Sequence, residues 1–246
     1  MMRISVRSNV RDVVERMSRL SRTETDLVTA KSLTFTVQAG QRAEIDEMRR
    51  VFDRPTPYAL NGTRIQSATP ARLEASVFLK DEAFKGTPAE KFLGPEVEGG
   101  PRTHKRFEKA LIGAGLMPAD MFAVPGDRCP LDQYGNVSGP FIVQLLSALG
   151  AHSEVGYLAN RTARSRQRNK TRTEYFVGQP GNGRGPLGVW QRIGNGARPI
   201  LIFVKAPSYK QRFDFYGVAA RTTEDQLVPI TEREMKATLD RTLGPA

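Results

Sequence analysis

The strongest constraint on this chain is a change of period between residues 44 and 81, EIDEMRRVFDRPTPYALNGTRIQSATPARLEASVFLKD. Ile45, Met48 and Phe52 stand three and four residues apart, which gathers apolar side chains along one side of a helix. Pro55 and Pro57 lack an amide hydrogen and push the residues before them out of helical geometry, so the helix is predicted to stop near Asp53. Beyond them Leu73, Ala75, Val77 and Leu79 alternate with Glu74, Ser76, Phe78 and Lys80, the two-residue period of a strand. A helix that runs straight into a sheet predicts an α+β fold.

Upstream, Leu27, Ala30, Thr34, Val37 and Gln41 extend the same stripe. One helix is therefore predicted over 23–53, about 45 Å long at 1.5 Å per residue, with Gly40 as its weak point. Val10, Val13, Val14, Met17 and Leu20 predict a shorter helix before it. Asn61-Gly62 predicts a tight hairpin turn, with strands over 63–67 and 73–80. Residues 82–101 are rich in Gly, Pro and Glu without a period and read as exposed loop. A short helix is predicted around Phe107 and Leu111, then turns over 118–137, then a helix opened by Pro140 and carrying Phe141, Leu145, Leu146 and Leu149. Strands return over 174–177, 187–193 and 199–205, the last two joined by Gly194-Asn195-Gly196. Ile200 to Val204 form the unbroken apolar run of a strand covered on both faces.

Near the end, residues 209–220 show helical spacing, and Thr231 with Glu234 reads as a capping box that opens a closing helix over 231–243. The expected architecture is an α+β core domain of residues 1–81 and 173–246. In it both groups of strands share one small antiparallel sheet or barrel, packed by the long N-terminal helix and the C-terminal helix. A loop-and-helix insertion over 82–172 interrupts it.

Charge supplies the main functional signal. Lys and Arg outnumber Asp and Glu by 37 to 26, a formal net charge of +11 that favours acidic neighbours. Six cations and no acid occupy RTARSRQRNKTR, namely Arg161, Arg164, Arg166, Arg168, Lys170 and Arg172. They are the candidate contacts to nucleic acid or to an acidic partner, because such a run neutralises phosphates and releases counterions. The aromatic residues Phe213, Phe215 and Tyr216 beside Lys210 and Arg212 are read as core, not as a base-stacking platform.

Catalytic patterns are weak. Gly183 to Gly188 satisfies G-x-G-x-x-G, but dinucleotide binding needs a helix to start there, and Pro186 and a strand follow instead. His104 and His152 fall in no metal or nucleophile motif, and Asp81-Glu82 reads as a solvated turn. The single Cys129 argues against disulfides or structural zinc and for synthesis in a reducing cytoplasm. No apolar run approaches the ~20 residues of a membrane helix. The expectation is a protein without enzyme activity, cofactor or metal.

Three blocks, VFDRPTP (51–57), PARLEASVFLKD (70–81) and VWQRIGNGARPILIFVKAPSYKQRFDFYGVA (189–219), resemble a family of tailed-bacteriophage and prophage proteins, the minor tail protein Z-like group within the tail-completion and head–tail connector proteins. The resemblance covers roughly residues 10–81 and 185–243. It implies a structural virion protein of the tail or neck, made in the host cytoplasm, contacting other tail, neck and portal-proximal proteins. A ring of identical copies is the expected form, with DNA in its channel. The alternative is a sequence-independent DNA-binding protein of the packaged or injected genome.

Overall fold

The computed structural model describes residues 22–84, 86–151, 175–181, 183–206 and 208–243. The helix expected over 10–20 lies outside them. Elements follow as α1 (Arg22–Val51), α2 (Pro57–Leu60), β1 (Thr63–Gln66), β2 (Ser76–Leu79), α3 (Ala89–Glu98), β3 (Gly100–Pro101), α4 (Arg106–Gly113), β4 (Met121–Pro125), α5 (Gly139–Leu149), β5 (Tyr175–Gly178), β6 (Gly188–Ile193), β7 (Gly196–Lys205), β8 (Ser208–Tyr209) and α6 (Phe215–Leu243). The fold is α+β, with a long N-terminal helix, a C-terminal helix and small antiparallel sheets.

The expected single sheet is not formed. Among the described residues β1 pairs only with β2, whereas β5, β6 and β7 join β4 in a separate four-stranded antiparallel sheet of order β4-β7-β6-β5. The chain accordingly divides into a unit of residues 1–97 and 212–246 and a unit of residues 98–211, not at 81 and 173. β4 takes the place that was expected for the hairpin strands. Its five residues, MFAVP, lie within the stretch read as turns, and Pro125 falls at the end of an edge strand, where a missing amide is tolerated.

In the first unit α1 and α6 pack along one another in antiparallel sense, Thr242 near the end of α6 donating to Glu24 near the start of α1 (3.0 Å). The buried row of α1 is Val28, Ser32, Thr36, Gly40, Glu44 and Met48, one residue per turn at a spacing of four. Gly40 does not break the helix. Phe213 and Phe215 close the core at one end with Met48, Ala89, Leu93 and Val97, and Val77 and Leu79 of β2 pack against it. Phe213 and Phe215 are thus core, as expected, but Tyr216 is 66% exposed.

Two other expectations are corrected here. Residues 89–98 are helical despite Gly94-Pro95, because Ala89, Leu93 and Val97, four apart, bury one face. Gly62 makes no hairpin turn: Asn61 caps α2, and a Cβ on Gly62 would come within 2.8 Å of the Ala59 carbonyl oxygen and 2.9 Å of Leu93. The C-terminal helix is also continuous. Pro229 lies inside α6, and Thr231 donates to the Leu227 carbonyl (2.7 Å) as an interior residue does, instead of capping a new helix.

The second unit is built on the four-stranded sheet. Val189, Leu201, Phe203 and Ala123 face Phe107 and Leu111 of α4 and Phe141, Leu145 and Leu146 of α5. Gly150, in left-handed geometry (φ 70°), ends α5 as a cap. The turn expected at Gly194-Asn195-Gly196 does join β6 and β7, but only Gly194 and Asn195 form it, Ile193 standing opposite Gly196, and Gly194 takes a positive φ of 57°. The G-x-G-x-x-G segment lies in the connection from β5 to β6 and leads into a strand.

Candidate functional site

Arg161, Arg164, Arg166, Arg168, Lys170 and Arg172 lie outside the described residues, as does His152. Their place in the chain is still informative. Residues 98–211 carry 16 Lys or Arg against 7 Asp or Glu, so this unit holds +9 of the net +11. The helix-pair unit is close to neutral by comparison.

Within the basic unit one polar cluster is well ordered. Arg102 donates to both carboxylate oxygens of Glu108, one at 2.7 Å, and the Glu108 side chain is fully buried. The same carboxylate accepts the backbone amides of Lys105 (2.6 Å) and Ala123 (2.8 Å). Burial alone would raise the Glu108 carboxyl, but Arg102 and the two amides outweigh it and hold the group below the ordinary carboxylate range. Arg102 also lies over the Phe122 ring (4.7 Å), and His104 stacks on that ring at 4.2 Å. His104 Nε2 is 2.9 Å from the Met121 carbonyl, which only accepts, so the ring carries its proton there. Every one of these groups is engaged with its own chain. The arrangement fixes residues 102–108 to β4 and makes the cluster structural.

The lone thiol, Cys129, is buried, and burial pushes its pKa up, away from the reactive thiolate. Asp81 and Glu82 are exposed, as expected of a solvated turn. Among the described residues no three His, Cys, Asp or Glu side chains come together as a metal site.

The described residues include two open clefts. One, of about 370 Å³, lies in the helix-pair unit between Tyr58, Asn61, Gly62, Lys80, Glu82 and Phe84. Phe84 is fully exposed beside it. The other, of about 460 Å³, lies in the basic unit and is lined by Arg106 and Lys109 with Ala110, Gly113, Gly150 and Ala151. Neither brings a nucleophile to a base.

One group that the sequence did not single out is Glu44, fully buried in α1 with neither oxygen hydrogen-bonded. Its position in the i, i+4 row with Met48 was the available signal, masked by its acidic neighbours in EIDE. Comparison with protein-family models, with curated proteins and with solved structures finds no match.

Proposed function

We propose that the chain is a structural protein of the tailed-bacteriophage virion, a minor tail, tail-completion or neck component at the tail or head–tail junction, whose work is contact and not catalysis. The observation that carries this reading is the disproportion of the helix-pair unit. α1 and α6, of 30 and 29 residues, each extend about 45 Å, while β1 and β2 have four residues each, about 13 Å of strand. A hairpin that small covers a fraction of the helix surface, and Tyr216 and Val228 of α6 stand 66% and 60% exposed. Long helices with apolar residues left at the surface suit packing between neighbouring copies, and closed rings are the ordinary outcome when such contacts repeat. Tail, neck and portal-proximal proteins are the partners this reading implies.

The reading is tested on purified particles and on the isolated chain. The protein is expected in intact virions at several copies per particle, and native mass spectrometry of the isolated chain is expected to give a single closed oligomer. Particles that contain none of it would discard the proposal.

The charge partition favours a second reading, a sequence-independent DNA-binding protein of the packaged or injected genome. Neutralising Arg164, Arg166, Arg168 and Lys170 together then removes most DNA retention, and the affinity of the unaltered chain falls steeply as salt rises. Retention that ignores salt counts against it.

A further inference from the structure

The cleft of the basic unit is walled by two helix ends that the chain has closed on itself. α4 turns out through Gly115 (φ 68°) and α5 through Gly150 (φ 70°), both left-handed. Past each glycine an amide returns to the helix, Leu116 to the Leu111 carbonyl (2.9 Å) and Ala151 to the Leu146 carbonyl (2.8 Å). These carbonyls, which at an open helix end would repel an anion, are thus already bonded.

Against those walls α4 sets Arg106 and Lys109. They stand three residues apart, on one side of the helix, and both line the cleft. Both are exposed, and neither side chain is hydrogen-bonded or ion-paired among the described residues. Among those residues no acid lines the cleft. Glu108, between the two cations in sequence, is buried, its carboxylate taken by Arg102 and two amides. Helix stability does not account for the pair either, because the dipole of α4 disfavours cations in its first turn.

The remaining lining selects the kind of anion. Ala110, Gly113, Ala114, Gly150 and Ala151 offer no side chain larger than a methyl group. A protein partner held there would lack the aromatic or aliphatic anchor around which stable interfaces are built. A sugar–phosphate strand needs no such anchor; it needs cations for its phosphates and a low floor that lets it come close. The unit that holds the cleft carries +9, which draws a polyanion towards it from a distance.

We propose that the cleft between α4 and the end of α5 is a backbone site for duplex DNA, in which Arg106 and Lys109 each take a phosphate and the glycine–alanine floor admits the strand. Contacts of this kind position the strand and carry no sequence information. The site rests on the reading of the chain as a sequence-independent DNA-binding protein and gives that reading a place on the fold, apart from the run 161–172.

The test is retention of a fluorescent random-sequence duplex by the full chain, between about 50 and 200 mM salt. Arg106→Gln combined with Lys109→Gln is expected to weaken binding alike on duplexes of different sequence. It is also expected to lower the slope of log affinity against log salt by about 2, so that the loss over this salt range is about tenfold smaller than in the unaltered chain. Gly113→Glu keeps every cation and adds a carboxylate at the cleft wall, where a Cβ meets nothing within 4 Å; it is expected to weaken binding as well. Lys91→Gln combined with Lys236→Gln, two exposed lysines of the helix-pair unit, makes the same change in net charge as the first pair and is expected to leave the slope in place.

A cleft variant that retains DNA as this control does overturns the site and leaves the DNA-binding reading standing, whereas an unaltered chain that retains no duplex at the lowest salt ends both. Capture of a polyglutamate peptide through Arg106 and Lys109, with duplex retention indifferent to their loss, also overturns the site, in favour of an acidic protein partner. Trp190 fluorescence reports whether each variant keeps its fold, and either cleft variant decides the matter if the other does not.

Discussion

The two units of this chain reach a folded core by different routes. In the helix-pair unit a buried row of small and polar residues, Ser32, Thr36, Gly40 and Glu44, runs along α1, and the large apolar side chains gather at one end around Met48, Phe213 and Phe215. In the basic unit the core is a conventional apolar layer, with Val189, Leu201 and Phe203 of the sheet under Leu111, Leu145 and Phe141 of the helices. The first unit is nearly charge-neutral and presents long helices; the second carries +9 of the +11. The contrast teaches that the long helices and most of the charge belong to different parts of one chain, so each can be altered alone.

Three substitutions test that separation, using the single Trp190 as a reporter of the basic unit and far-ultraviolet circular dichroism as a reporter dominated by the long helices. Glu108→Ala is expected to have the largest effect. It strands Arg102, whose side chain is only 12% exposed, and costs about 3–5 kcal/mol, so the Trp190 denaturation midpoint falls sharply while most of the helical signal holds. Met48→Ala empties a fully buried site in the other core at about 2–5 kcal/mol. Here the helical transition moves and Trp190 fluorescence does not. If both signals move together in both variants, the two units are one cooperative body and the contrast fails. Thr231→Ala gives the smallest effect, below about 0.5 kcal/mol, since the residue is interior to α6; removal of a true N-cap costs about 1 kcal/mol. A loss of that larger size would mean that α6 is two helices after all.

What the sequence made legible was local. The period of 3.6 located α1 and α5 to within a few residues, and the apolar run 200–204 with the turn Gly194-Asn195-Gly196 located β6 and β7. What it did not show was partnership. Alternation in 73–80 tells which side of a strand is apolar but not which strand lies beside it, so hairpin and sheet were joined when they are separate. Proline does not always end a helix: Pro95 and Pro229 lie inside helices whose buried faces, Leu93 and Val97 in one and Val218, Ile230 and Leu239 in the other, outweigh the lost hydrogen bond. Of the candidate contacts, the run 161–172 was visible as composition alone, and composition carries no geometry. Glu44 was hidden because burial depends on the facing helix, α6, which begins some 170 residues later.

The ends of the basic unit meet. Before it, the Glu96 carbonyl accepts the amides of both Arg212 (2.9 Å) and Phe213 (3.0 Å), while the Glu96 carboxylate grips the Arg212 guanidinium at 2.9 Å through two bonds. Just inside it, Gly100 and Pro101 pair with Tyr209 and Ser208. Entry and exit are thus clasped side by side, which makes residues 98–211 an exchangeable cassette: a short turn from Val97 to Arg212 would close the same gap, and a different module spliced there would inherit a ready-made socket.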